Sequence, residues 1–231
     1  MDPAGRPDGS INSHYKGAMI NLITISRERG SGGRSIATRL AQELGMKCFG
    51  KEIVFDIAQS AGVAAESVEK YDQEHYSKWN LIVDSLRISS HFSPDYGLNF
   101  NLSNIEPEIF FTEDKYLKTT QEILRKLASP SGVIFLGRGS QVIFKDRQDA
   151  LHIRLVAPLD LRIRRISELL KVSIKEATKN VLEVDKSRTS YLRDFYSVDV
   201  NDAKFYHLAI NTGCFNYDQT CQIIKHAITY F

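Results

Sequence analysis

The sequence predicts an α/β fold in which a parallel β-sheet is covered by helices on both faces. Three observations carry this. Short apolar runs with strand character recur at wide spacing. The segments between them have helical periodicity. The first run passes into a helix through a glycine-rich turn, "SRERGSGGRS" at residues 26–35. Strands that alternate with helices imply crossover connections, which suit a parallel sheet with both faces buried.

In chain order, "MINLITIS" is the first strand. The helix after the turn puts Ile36, Ala37, Leu40, Ala41 and Leu44 on one face, and Gly45 supplies its stop. "KCFG" (47–50) reads as a short strand. Residues 61–111 then break the rhythm. They carry the single tryptophan, Trp79, and the run "SSHFSPDYGLNFNLSNIEPE", and they read as an inserted lobe. Insertions near the carboxyl ends of parallel strands commonly hold a second substrate. "TEDKYLKTTQEILRKLAS" (112–129) is a helix that breaks before Pro130. "VIFLG" (133–137), "LHIRLVA" (151–157) and "YHLAIN" (206–211) are further strands. "PLDLRIRRISELLK" is helical. Ser173 with Glu176 forms a capping box that opens a long helix to about Tyr196, and "YDQTCQIIKHAITYF" closes the chain.

Composition sets limits but names no function. The 231 residues suit one domain with an inserted lobe, and 42% hydrophobic residues can fill an ordinary core. A net charge of +2 gives no global field for nucleic acid or a membrane surface, so neither is expected as a partner. No apolar run reaches the length of about 18 residues that a membrane helix needs. Cys48, Cys214 and Cys221 are odd in number and form no C-x-x-C pair, which fits reduced thiols in a cytoplasmic protein. Residues 1–18 are polar and rich in Gly, Pro and Ser. They read as a disordered lead-in with no signal peptide, with Met19 just before the first strand.

The glycine turn carries the chemistry. Residues 28–35, "ERGSGGRS", fill the eight positions of G-x-x-x-x-G-K-[ST], with Glu28 at the first and Arg34 at the lysine position. Gly30, Ser31, Gly32 and Gly33 are small enough to curl the backbone so that its N–H groups face inward. The following helix would point its positive dipole end at the same place. Arg34 can stand in for the lysine, and Ser35 can offer a hydroxyl to magnesium. Glu28 is the oddity, since a carboxylate repels phosphate unless Arg27 or Arg29 screens it. A plain strand-to-helix turn that uses its glycines for packing is the alternative.

Other arginines fall where such a site would want them. Arg138 sits between two glycines at the end of the third strand. Arg162, Arg164 and Arg165 share one turn of the helix after the fourth, with Arg162 and Arg165 on one face. Asp185 and Arg188 are three apart on the long helix. Each alone is explained by a solvated surface or a simple ion pair. Together they fit one polyphosphate site, because phosphoryl transfer is catalysed mainly by positioning and by cations around the transferring group. The six histidines are scattered, and each reads as structural or surface.

With these residues in view, the chain resembles the cytidylate kinase-like family of P-loop nucleoside monophosphate kinases, from about Ile20 to Phe231. The resemblance rests on "ITISRERGSGGRSIATRLAQELG", "VIFLGRG", "VAPLDLRIRRI", "DKSRTSYLRDFY" and "YHLAINTG". It implies a five-stranded parallel core of P-loop type, a monophosphate-binding insertion at about 61–111 and a helical lid at about 162–197. It implies transfer of the ATP γ-phosphoryl group to CMP or dCMP with magnesium, by a monomer or homodimer. By position, Gly30, Ser31, Gly32, Gly33, Arg34 and Ser35 would bind ATP, with Ser35 on the metal. Arg138, Asp185 and Arg188 would bind the acceptor, and Arg34, Arg162, Arg165 and Arg188 would act on the transferring phosphoryl. Two departures stand out: Leu136 and Gly139 occupy positions that are acidic in well-studied cytidylate kinases. The first removes a magnesium-side carboxylate and the second a group that reads the cytosine edge. Arg87, Asn99 and Asn101 of the insertion are candidate replacements. Two other readings are therefore open: a kinase of the same fold with another small-molecule acceptor, and a nucleotide-binding regulatory protein without turnover.

Overall fold

The computed structural model describes residues 19–50, 113–128 and 132–231. The lead-in 1–18 and the insertion 61–111, with Trp79, Arg87, Asn99 and Asn101, lie outside the described residues.

Five strands form the core: β1 (Leu22–Arg27), β2 (Lys47–Phe49), β3 (Val133–Leu136), β4 (Ala150–Val156) and β5 (Leu208–Asn211). They are all parallel, in the order β2-β3-β1-β4-β5. β1 is central and its residues from Leu22 to Ser26 are buried, which a strand flanked on both sides and covered on both faces requires.

Alternate residues of the strands feed two different cores. Ile23, Ile25, Ile134, Ile153 and Ile210 pack against α1 (Gly33–Leu44) and against Cys221 and Ile224 of the C-terminal helix. Leu22, Val133, Phe135 and Ala150 pack on the other face against Ile123, Leu124 and Leu127 of α2 (Glu113–Leu127). The short α3 (Ser140–Ile143) follows β3. After β4, α4 (Leu159–Leu170) and α5 (Ile174–Tyr196) pack together around a small core of their own, Ile163, Ile166, Ala177 and Val181. The final helix, α6 (Tyr217–Ile228), closes the α1 face.

Most expected elements appear within a residue or two of their expected ends. The Ser173–Glu176 capping box forms in both directions, and α5 runs 23 residues from it. A second box, Asn216 with Gln219, opens α6. Gly45 ends α1 in the left-handed conformation, as its position suggested. Among the described residues all three cysteines are free thiols, and no helix is long and apolar enough to cross a membrane. The histidines are less scattered than their spacing suggested: His152 and His207 stack with ring centroids 4.9 Å apart, and Thr24 Oγ1 lies 2.8 Å from His152 Nδ1.

Parallel strands put every following loop at one sheet edge. The segments after β1, β3, β4 and β5 meet there, together with the middle of α5.

Candidate functional site

The turn after β1 curls as its glycines allow. Gly30 and Gly32 have φ of 84° and 81°, which side-chain-bearing residues rarely adopt. Space is equally restrictive. A Cβ on Gly30 would come within 2.6 Å of the Arg162 carbonyl oxygen, and one on Gly32 would run into the Tyr217 ring. The Ser31 hydroxyl and backbone N–H both turn back to the Glu28 carbonyl, at 2.9 and 3.3 Å. Ser31 therefore shapes the loop from within and is fully buried.

α1 begins directly at Gly33. Its N-cap, Gly32, offers no side-chain cap, and its first turn holds no acidic residue. Such a helix start keeps its partial positive charge for an outside anion. Arg34 and Ser35 are exposed on this first turn, side by side with that dipole end.

The underside of the loop is braced. Glu28, the residue without a phosphate rationale, accepts from the Ala157 backbone N–H at 3.0 Å and pairs with Arg162 Nε at 3.2 Å. It ties the end of β1 to the end of β4. Arg162 is 7% exposed, and its guanidinium also donates to the carbonyls of Ala157 and Arg29, at 2.9 and 3.1 Å, and to Asp185 Oδ2 at 2.5 Å. Asp185 in turn accepts from the Arg29 backbone N–H at 2.7 Å, and Arg29 Nε reaches Asn180 at 3.1 Å. Loop, α4 and α5 are thereby fastened through two carboxylates. Asp185 and Arg188 do approach at i,i+3, but at 3.9 Å this is the weaker of the Asp185 contacts.

Arg165 braces the other flank. It donates to the Thr212 carbonyl at 2.9 Å, the Thr212 hydroxyl at 3.2 Å and the Gly30 carbonyl at 3.4 Å, and lies over the Tyr217 ring at 5.3 Å. Thr212, 1% exposed, donates its own hydroxyl to the Ser31 carbonyl at 2.8 Å. Sequence reasoning missed Thr212 and Glu28 as loop supports. Only their positions just past β5 and β1 could have signalled them.

Arg188 donates to the Arg27 carbonyl at 3.0 Å. Burial pushes its guanidinium down to about 10, with Arg29, Arg154 and Arg34 adding to the push and Asp185 opposing it. Arg29 is likewise lowered by burial and by Arg34, against Asp185. Arginine remains charged under either shift, so these directions mark a place where cations converge on a low-dielectric edge with few carboxylates.

The β3 loop completes the edge. Gly137, Arg138 and Gly139 are three successive left-handed residues, with φ of 86°, 62° and 66°. Arg138 is the rare non-glycine case and is half-buried. Leu136 is buried in β3 opposite Ile25. Gly139 lies under the Tyr196 ring, 2.6 Å from where its Cβ would be. At 136 an apolar side chain lies buried where those relatives carry an acid, and at 139 any side chain would have to displace the Tyr196 ring.

The structure accordingly brings Arg34, Ser35, Arg138, Arg162, Arg165, Asp185 and Arg188 to one sheet edge, while Arg164 faces outward. A model of the cytidylate kinase-like family matches residues 22–213. The chain belongs to that family. Family relatives are distant in sequence. The cytidylate kinase of Methanopyrus kandleri is 24% identical over 216 residues, covering 90% of this chain and 92% of that one. The cytidylate kinase of Methanosarcina mazei is 27% identical over 161 residues, covering 69% and 84%. Among solved structures, an uncharacterized protein from Eubacterium ventriosum superposes with a TM-score of 0.63 at 19% identity, covering 90% of this chain and 98% of that one. That likeness is one of fold. The strand order and the glycine loop after β1 are those of a P-loop kinase, as the cytidylate kinase-like family requires.

Proposed function

We propose that this protein transfers the γ-phosphoryl group of ATP to a nucleoside monophosphate, with CMP or dCMP as the first acceptors to try. The observation that carries the reading is the pairing of an uncapped helix start, Gly33 to Ser35, with arginines arriving from three other segments at the same edge. A polyanion is the ligand such a place favours.

In this reading the backbone from Gly30 to Gly33 cradles the ATP phosphates and Arg34 neutralises charge on them. Arg162 and Arg165 hold the loop's shape from beneath, through the carbonyls of Arg29 and Gly30. Arg188, anchored on the Arg27 carbonyl, and Arg138, held in its left-handed turn, present cations toward the acceptor side. Phosphoryl transfer asks little else of a protein beyond positioning and charge. With α4 and α5 fastened against the loop, the edge would be shielded from water, which would suppress hydrolysis of ATP.

Magnesium enters as part of the ATP substrate. Among the described residues no group of three His, Cys, Asp or Glu could hold an ion alone. Magnesium keeps waters and takes substrate phosphates readily, so one hydroxyl, that of Ser35, fits what it needs from this chain.

A second reading keeps the chemistry and changes the acceptor to a different small molecule. Leu136 and Gly139 favour it, because the base-reading acid is absent and its space is filled by Tyr196. Losing a group that hydrogen-bonds a base relaxes specificity strongly. The deciding experiment is product analysis with ATP, magnesium and a panel of monophosphates. CDP or dCDP formed at the highest kcat/KM supports the first reading. ATP binding with no diphosphate from any acceptor removes it in favour of a non-nucleotide acceptor or a regulatory role without turnover.

A further inference from the structure

One charged side chain near the site has no part in bracing the loop. Arg154 sits at the carboxyl end of β4, in register with Ser26 of β1, and is only 8% exposed. Its NH1 donates to the Ser26 hydroxyl at 2.9 Å. Among the described residues that is its single hydrogen bond, and no carboxylate lies within 4 Å of it. A guanidinium has five N–H donors. Burying it with one neutral partner is costly, and buried charges are ordinarily matched by an opposite charge. Arg162, equally buried one helix away, has two carboxylates. Among the described residues, then, Arg154 lacks the anionic partners that Arg162 has.

Its neighbours point the same way. Gln141, in the first turn of α3 just past Arg138, is 1% exposed, and neither its Oε1 nor its Nε2 has a hydrogen-bond partner among the described residues. It lies beside the Tyr206 hydroxyl, near enough to lower that phenol but outside hydrogen-bond geometry. That hydroxyl is 2.9 Å from the Val200 carbonyl and 3.4 Å from the Ser26 hydroxyl. Burial raises the Tyr206 phenol, while Ser26 and Arg154 lower it. Ser26, Arg154 and Gln141 thus converge from β1, β4 and α3 on the face away from α1. Arg188 is close enough to feel the charge of Arg154.

We propose that Arg154, with the Gln141 amide beside it, is a further anion seat of the acceptor subsite and takes oxygens of the acceptor's phosphoryl group. The proposal rests on the reading of the protein as a monophosphate kinase. Arg138 and Arg188 would then hold the acceptor's phosphoryl from the loop and helix sides, and Arg154 from the sheet floor. Arg154 makes the seat suited to a dianionic phosphomonoester over a neutral hydroxyl compound.

The test uses Arg154→Met, which keeps volume and removes charge, with Arg154→Lys as the conservative variant. Exchange of a buried, poorly matched charge for an apolar side chain is often neutral or stabilising, so Arg154→Met should unfold in urea no earlier than the parent protein. The acceptor KM should rise roughly 10- to 100-fold, as expected for a hydrogen bond to a charged group, with the ATP KM unchanged and Arg154→Lys recovering part of the loss. An unchanged acceptor KM, or a loss of stability with both KM values intact, would make Arg154 structural and overturn the proposal. Titration calorimetry with inorganic phosphate, in the presence of a non-hydrolysable ATP analogue and magnesium, separates the two levels of the argument. If no monophosphate is turned over but phosphate affinity still falls about 10-fold or more in Arg154→Met, the anion seat stands and the kinase reading falls. If phosphate affinity is equal in both proteins, the seat falls whatever the turnover.

Discussion

Arg162 and Arg34 lie on opposite sides of the same loop, and the fold treats them differently. Arg162 is 7% exposed and engages two carboxylates and two carbonyls, so its charge is already matched within the protein. Arg34 is exposed on the first turn of α1, beside an uncapped helix start. Both were candidates for contact with the transferring phosphoryl on the basis of residue type and position. The difference between them teaches that arginines near a phosphate loop divide into those that build it and those that can face a ligand. What separates them is burial: Arg162 is enclosed among four protein oxygens beneath the loop, and Arg34 stands exposed at the helix start.

The largest effect should come from breaking the builder. Arg162→Met leaves Glu28 and Asp185 half-buried without their cation, and the loss of one partner from a buried pair costs about 3–5 kcal/mol. Urea unfolding should therefore show a clear drop in midpoint with ATP affinity falling secondarily. Full stability with a selective fall in kcat would place Arg162 with the ligand-facing group and collapse the distinction. Arg34→Ala should do the reverse. Its ATP kcat/KM should fall about 10²-fold or more, because a cation on the phosphates is lost, while stability stays within about 0.5 kcal/mol as for an ordinary surface change. Steady-state kinetics alongside the same urea series would check both halves, and an unchanged kcat/KM would mean that the loop is only a turn.

A third test concerns the buried middle of β4, where His152 packs against Thr24 and His207. Burial, reinforced by His207, lowers the His152 imidazole from 6.5 to about 4. The folded protein therefore holds His152 neutral at pH values where the unfolded chain would protonate it, and stability falls as pH drops from about 6.5 toward about 4. Between pH 7 and pH 5 this amounts to about 2 kcal/mol. Urea midpoints at the two pH values should show it, and His152→Gln should remove that component. If the variant keeps the same pH dependence, the acid sensitivity does not come from His152.

The architecture was legible because it is written in periodicity. The apolar run of β1, the face of α1 from Ile36 to Ala41 and the Ser173–Glu176 box are local patterns, and the structure shows each of them. The loop's glycines were legible for the same reason, since positive φ has a residue preference. The braces were not. Glu28 meets Ala157 and Arg162 across 129 and 134 positions, and Thr212 meets Ser31 across 181. Nothing in a linear pattern links residues so far apart. Asp185 shows the limit well. Its i,i+3 partner Arg188 was visible in the sequence, whereas its shorter contacts, to Arg29 and Arg162, come from chain segments that only folding brings near.

The smallest effect sharpens the comparison from a distance. Ser173 caps α5 twelve positions before Asp185, accepting from the Glu176 backbone N–H at 3.2 Å while Glu176 returns the bond to the Ser173 N–H at 3.0 Å. Ser173→Ala should cost about 1 kcal/mol through fraying of the first turn. Val181 and Val184 hold the middle of the helix by burial, so the frayed turn should not reach Asp185. ATP kcat/KM should then stay within about twofold, since the contact from Asp185 to the loop survives. A fall as large as that of Arg34→Ala would show that the brace depends on the whole of α5 moving as one body, with stability and catalysis coupled through the helix. Builder and ligand-facing arginines would then be two ends of a single device.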